Sequence, residues 1–121
     1  MTVTLVDDNV EAPDLDAMFA ALADPTRRSI VAQLTRGEAT VNELAEPFAM
    51  SVQAVSRHIQ VLERAGLISR SRHRQTRPCR LEADALAVAM DWIDRRRREW
   101  TDRLDRLDQH LNDLRQQGKQ S

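Results

Sequence analysis

Nine positions in the C-terminal third of the chain follow one another at alternating steps of four and three: Leu86, Met90, Ile93, Arg97, Trp100, Leu104, Leu107, Leu111 and Leu114. Only Arg97 interrupts the apolar series. This spacing keeps all nine on one stripe of a single helix. A seam this regular, with Asp and Arg on the other faces, packs against another helix. A chain of 121 residues supplies one domain with a modest core. A body so small cannot bury the whole seam. The expected partners are the chain's own first helix and the same elements of a second copy, with Leu15, Phe19, Ile93, Trp100, Leu104, Leu107 and Leu111 at the dimer interface. The helix is predicted over about 83–115, with 116–121 as a flexible tail.

Upstream, the punctuation is denser. Residues 1–13 lack periodicity and end at Pro13, which reads as a disordered N-terminal arm. Leu15, Met18, Phe19 and Leu22 return at helical spacing and predict a first helix over about 14–23. Asp24-Pro25 then supplies a capping side chain and a ring suited to the first helical position. A second helix is predicted over about 25–36, stopped by Gly37. Thr40-Val41-Asn42-Glu43 is a capping box, because the Thr hydroxyl and the Glu carboxylate can each take the other's backbone N–H. It opens a short third helix, about 41–46, which Pro47 ends. After the turn Phe48-Ala49-Met50, Ser51 caps a fourth helix over about 51–65. Its inward stripe is expected to be Val52, Val55, Ile59 and Leu62, and Gly66 ends it.

Two short helices joined by a turn of about three residues, the second capped and amphipathic, make a helix-turn-helix. Leu67 to Arg72 reads as a strand, His73 to Thr76 as a loop and Arg77 to Leu81 as a returning strand. A hairpin directly after the second helix is a wing. The fold class expected is therefore mainly α with a small β-hairpin, a winged helix-turn-helix over 14–115 dimerising through its first and last helices.

The net charge of -1 conceals a segregation. Residues 1–24 hold six acids and no Lys or Arg, whereas residues 51–80 hold seven Arg and one Glu, a formal charge of 7 − 1 = +6. A local basic surface is what the phosphates of double-stranded DNA require. With the apolar stripe inward, the fourth helix offers Gln53, Ala54, Ser56, Arg57 and Gln60 outward. Arg57 suits guanine O6 and N7, Gln53 or Gln60 suits adenine, and Ala54 suits a thymine methyl. Ser51 is a cap that can also sit near a phosphate. Arg72, Arg74 and Arg77, with His73 nearby, are expected on the wing, contacting phosphates or the minor groove. His58 falls between the two faces and reads as a packed histidine. Arg95 to Arg98 lie among Asp91, Asp94, Glu99 and Asp102 at helical spacing, and read as a salt-bridged face.

Three segments carry a family likeness. They are Ala20-Leu-Ala-Asp-Pro-Thr-Arg-Arg-Ser-Ile30, Val41-Asn-Glu-Leu-Ala45, and the run from Met50 through Ser-Arg-His58 to Leu67. In this order and spacing they resemble the ArsR-type family of winged helix-turn-helix repressors, over roughly residues 14–115. The resemblance implies a homodimer built from the first and last helices, a palindromic operator, and control of a small operon, often the regulator's own. Metal-sensing members carry Cys-x-Cys before the recognition helix. Here that region reads Glu43-Leu44-Ala45-Glu46. The chain is therefore more similar to a metal-independent branch with a Trp-rich last helix (Trp92, Trp100), and its effector ligand is unknown.

Other chemistries find less support. Asp108-x-His110 resembles half of the zinc pattern on the family's last helix, but Asp113 and glutamines follow where further ligands belong, and zinc wants four. No metal and no cofactor are expected. Cys79 sits between Arg77 and Arg80, which could lower a thiol pKa, yet the chain holds no resolving partner. With glycine only at Gly37, Gly66 and Gly118, there is no phosphate-cradling loop, nor is there a nucleophile elbow or a paired-histidine motif. The chain is not expected to be an enzyme. A single cysteine, no membrane-length apolar run and no secretory leader place it in the cytoplasm. The alternatives are a winged-helix protein-interaction module, or a metal- or thiol-responsive variant of the repressor.

Overall fold

The computed structural model describes residues 14–72 and 75–120, with the side chain of Gln120 left out. The expected arm over 1–13 and the wing residues His73 and Arg74 lie outside the described residues. The elements in chain order are α1 (Leu15–Leu22), α2 (Pro25–Leu34), α3 (Val41–Ala45), α4 (Val52–Arg64), β1 (Ile68–Arg70), β2 (Cys79–Leu81) and α5 (Ala83–Gln120).

The starts of α1 to α4 are each fixed by a side chain that takes an otherwise unpaired backbone N–H. Asp14 accepts from Ala17, Asp24 from Arg27 and Ser51 from Ala54. The capping box at α3 is complete: Thr40 Oγ1 accepts from the Glu43 N–H at 3.2 Å, and Glu43 Oε1 accepts from the Thr40 N–H at 2.8 Å. These bonds to Thr40 hold the Glu43 carboxyl below its ordinary pKa.

The first unit extends to Ala89 and encloses one core. Met18 and Ala21 of α1, Ile30 and Leu34 of α2, Leu44 of α3, and Val55, Ile59 and Leu62 of α4 meet there, with Ala85 and Ala89 of α5. Burial of these apolar side chains is the main favourable contribution to folding. Val52 departs from the expected stripe. It is 43% exposed. As the first residue of α4 it stands one turn before Val55, where the helix has not yet reached the core.

The turn into the wing is a Schellman cap. Gly66 takes a φ of +80°, its N–H donates to the Glu63 carbonyl at 3.0 Å, and the Leu67 N–H donates to the Leu62 carbonyl at 3.0 Å. Leu67 is thereby turned into the core, where it is fully buried. β1 and β2 then pair antiparallel, Ile68 opposite Leu81 and Arg70 opposite Cys79. β2 has a neighbour on its other edge too. Cys79 and Ala39 exchange N–H···O bonds of 2.7 and 3.1 Å, tying the hairpin to the loop before α3.

The second unit comprises the remainder of α5, from Met90. The helix continues to Gln120, so residues 116–120 are helical and not the flexible tail expected from the sequence. Gln116, Gln117, Lys119 and Gln120 are good helix formers, and Gly118 alone does not end a helix this long. The arginine run is salt-bridged as expected. Arg95 pairs with Asp91 at 3.0 Å, Arg96 with Glu99 at 2.9 Å, and Arg97 and Arg98 share Asp94 at 2.6 and 3.4 Å. Arg96 also lies over the Trp92 ring, 4.8 Å from its centroid. Along the seam, Ile93, Trp100, Leu104, Leu107, Leu111 and Leu114 are 45 to 59% exposed.

The left-handed turn at Gly66 gives a direct test. Space for a Cβ exists there, so Gly66→Ala meets no clash and reports the backbone cost alone. The expected loss is about 1–2 kcal/mol in urea unfolding. An unchanged midpoint would mean that the cap is not left-handed in solution.

Candidate nucleic-acid interface

On α4, Gln53, Arg57, Gln60 and Arg64 are all exposed and recur at helical spacing, so they share one face. The rise per residue spreads this face over about 16 Å. Arg64 was missed in the sequence reading, although its spacing of seven from Arg57 placed it in register. Ala54 and Ser56 are half-buried on the flank, and Ser51 stands exposed at the cap. Its hydroxyl accepts from the Ala54 N–H at 3.1 Å.

The wing adds a second basic surface. Arg72 and Arg77 are exposed. Arg77 has a φ of +46°, unusual for a residue with a Cβ, and its carbonyl accepts a bond from Arg70 Nε at 3.4 Å. Arg80 is committed to Glu82 at 3.4 Å, and Glu82 also accepts the Ser69 hydroxyl. An open groove of about 560 Å³ runs along this hairpin, lined by Arg70, Arg72 and Arg80 with Glu38 and Glu82 among others.

The orientation of α4 rests on a group the sequence reading passed over. Arg27 Nε donates to the Ala21 carbonyl at 2.6 Å and Nη2 to the Ala20 carbonyl at 3.2 Å, the latter shared with the Ala23 N–H, at the end of α1. Its Nη1 reaches His58 Nδ1 on α4 at 3.2 Å. A guanidinium can only donate, so Nδ1 is the acceptor and the neutral ring carries its proton on Nε2. Asp24 Oδ2 lies 3.9 Å from the same nitrogen, too far for a hydrogen bond. The Arg27 backbone N–H holds the Asp24 carboxyl below its ordinary pKa, with the Arg27 charge adding to the effect. Arg28 adds a further bond to the end of α1, to the Leu22 carbonyl at 2.8 Å. His58 is therefore a packed histidine with a named partner.

Cys79 is fully buried, and burial pushes its thiol pKa up, outweighing the nearby Arg70 and Arg77. Its setting is that of a structural cysteine. His110 is exposed on the second unit. Among the described residues, no three His, Cys, Asp or Glu side chains converge as a metal site would require. Nor is any helix among them long and apolar enough to cross a membrane.

A helix-turn-helix whose second helix bears a basic face, followed by an arginine-bearing hairpin, is the architecture of a DNA-binding domain. Known proteins place it more narrowly. A helix-turn-helix domain family matches residues 22–70. The transcriptional repressor SdpR of Bacillus subtilis is 33% identical over 79 residues, covering 65% of this chain and 88% of that protein. The crystal structure of an ArsR family transcriptional regulator, RHA00566, superposes with a TM-score of 0.66 at 38% identity, covering 71% of this chain and 94% of that one. The homodimeric winged helix-turn-helix domain of Mb0332 from Mycobacterium bovis, a possible ArsR-family regulator, gives 0.54 at 25% identity, covering 74% and 78%. The chain belongs to the ArsR family of winged helix-turn-helix transcriptional regulators. That family is one of DNA-binding regulators and not of enzymes.

Removing the Arg27 side chain tests how α4 is held. Arg27→Ala is expected to lose about 2 kcal/mol, the range for hydrogen bonds to a charged group. Thermal and urea unfolding would register the loss. His58→Ala should cost less, because the bonds to Ala20 and Ala21 remain. Equal stability of Arg27→Ala and the parent would remove this clamp from the account.

Proposed function

We propose that the chain is a homodimeric transcriptional repressor that binds an inverted-repeat operator. The N-terminal half of α4 enters the major groove and the hairpin lies against the flanking backbone or minor groove. The observation that carries this reading is the exposed face of Gln53, Arg57, Gln60 and Arg64 on a helix directly followed by exposed Arg72 and Arg77. Arg57 reads guanine, Gln53 or Gln60 reads adenine, and Ser51, Ser56, Arg72, Arg74 and Arg77 hold phosphates or sugars.

Repression is supported by the name of the relative SdpR, and a dimer by the homodimeric state given for Mb0332. The second unit supports pairing of two copies. Its seam of Ile93, Trp100, Leu104, Leu107 and Leu111 remains exposed in a single chain, and a helix with an apolar stripe of this kind ordinarily packs it against another helix. On the first unit, half-buried Leu15 and Phe19 form a second apolar patch. A two-fold dimer would set two α4 helices one DNA turn apart, about 34–36 Å, and ask for half-site centres about 10 base pairs apart. We place its action with the genomic DNA in the cytoplasm and assign no cofactor.

Fluorescence anisotropy on labelled DNA from upstream of the chain's own gene, against a scrambled duplex at two salt concentrations, tests the reading. Salt-sensitive binding that prefers the native fragment is expected. No binding even at low salt would favour a protein-interaction module instead. Arg57→Ala should lose about 1–3 kcal/mol and relax specificity at one base position, whereas Arg72→Ala should weaken all sequences alike and lower the salt slope by about 1. Leu107→Asp should yield monomers in sedimentation velocity. An intact Leu107→Asp dimer would remove the seam from the interface.

A further inference from the structure

Among the described residues, the large hydrophobic side chains that stand exposed lie on α5, with one departure: Val52. A lone surface valine is ordinary, but the position of this one is not. It is the first residue of α4, next to the Ser51 cap, at the end of the helix that a winged helix-turn-helix inserts into the groove. Helical spacing sets Val52 in line with Val55 and Ile59, with Ser56 one turn on, and its neighbour Gln53 begins the exposed face. Its environment on the protein is polar, with exposed Ser51 and Gln53 on either side. The core does not use it, since the buried stripe starts at Val55.

In the major groove, one base-pair feature is apolar: the C5-methyl group of thymine. The sequence reading gave that contact to Ala54. In the structure Ala54 is half-buried and Val52, one turn short of the core, is exposed, so the more accessible apolar group at this end of α4 is the larger one. We propose that Val52 is a specificity-determining residue that packs on a thymine methyl in each half-site, adjoining the base read by Gln53. This inference rests on the DNA-binding reading above and adds one base to what α4 recognises.

The test is a methyl scan. The full chain selects its preferred duplex from a random library, and each dT of that duplex is replaced in turn by dU, which deletes the methyl and keeps the pairing edge. Binding of the parent should weaken about fourfold per half-site at one dT position, the effect of losing one buried methyl-sized group. Val52→Ala should bind the unmodified duplex more weakly by a similar factor and be indifferent to dU at that position. Val52 is exposed, so Val52→Ala is expected to keep the parent's circular dichroism spectrum and melting temperature. A parent with no methyl-sensitive dT overturns the proposal, and should Val52→Ala fail to fold, Val52→Thr takes its place in the scan. A dU effect that persists undiminished in Val52→Ala also overturns it and returns the contact to Ala54. Either result leaves sequence-selective binding standing. A selection that enriches no sequence overturns both this inference and the repressor reading.

Discussion

Three helices of the first unit meet at one guanidinium. Arg27 rises from the first turn of α2, ends α1 by taking the carbonyls of Ala20 and Ala21, and touches α4 through His58. Helix ends leave carbonyls unpaired, and a half-buried end without partners is costly. A single arginine bonds the Ala21 carbonyl and shares that of Ala20 with the Ala23 N–H, while its third nitrogen bonds the helix that carries the candidate base-reading face. The packing of Met18, Ile30, Ile59 and Leu62 behind it supplies most of the stabilisation. Apolar contacts are non-directional, however, and tolerate rotation of a helix. Hydrogen bonds at set distances do not. The clamp thus ties the orientation of α4 to α1 and α2.

The same division of labour recurs at the hairpin. Gly66 permits the left-handed turn that points Leu67 into the core, and the ladder to Leu81 and the Ala39–Cys79 bridge hold β2 on both edges. The arginines then divide by partner. Arg80 is drawn to Glu82, and Arg70 to the Arg77 carbonyl. Arg72 and Arg77 remain exposed beside them. A formal count of basic residues is therefore a poor measure of what a phosphate would meet. The arrangement of acceptors decides which of these charges already have a partner on the protein.

On α5 the charges and the seam serve different ends. Surface pairs such as Arg96–Glu99 and Arg97–Asp94 each contribute little to stability. Hydrogen bonding from Arg97 lowers the Asp94 pKa, with Arg98 adding to it, and the arginine that interrupts the seam is neutralised on its own helix. The exposed leucines and Trp100 are what the second unit has to offer another chain.

The sequence alone determined where the helices and the hairpin of the described fold lie, the end of α5 apart, because most of their starts and stops are local events. Asp24-Pro25, the Thr40–Glu43 box, Ser51 and Gly66 act through bonds to residues three or four positions away, and those are legible in one dimension. The basic face of α4 was legible too, since helical spacing alone sorts Gln53, Arg57 and Gln60 together. Only the tertiary structure decided three matters. Arg27 was invisible as a clamp because His58 lies 31 positions away, and spacing carries no information about contacts between elements. The raised pKa of the Cys79 thiol came from burial on β2, where the flanking arginines alone would have lowered it. Val52 fitted the apolar stripe by period but lies one turn short of the core, because periodicity gives the direction of a side chain and not the point along the helix at which the core begins.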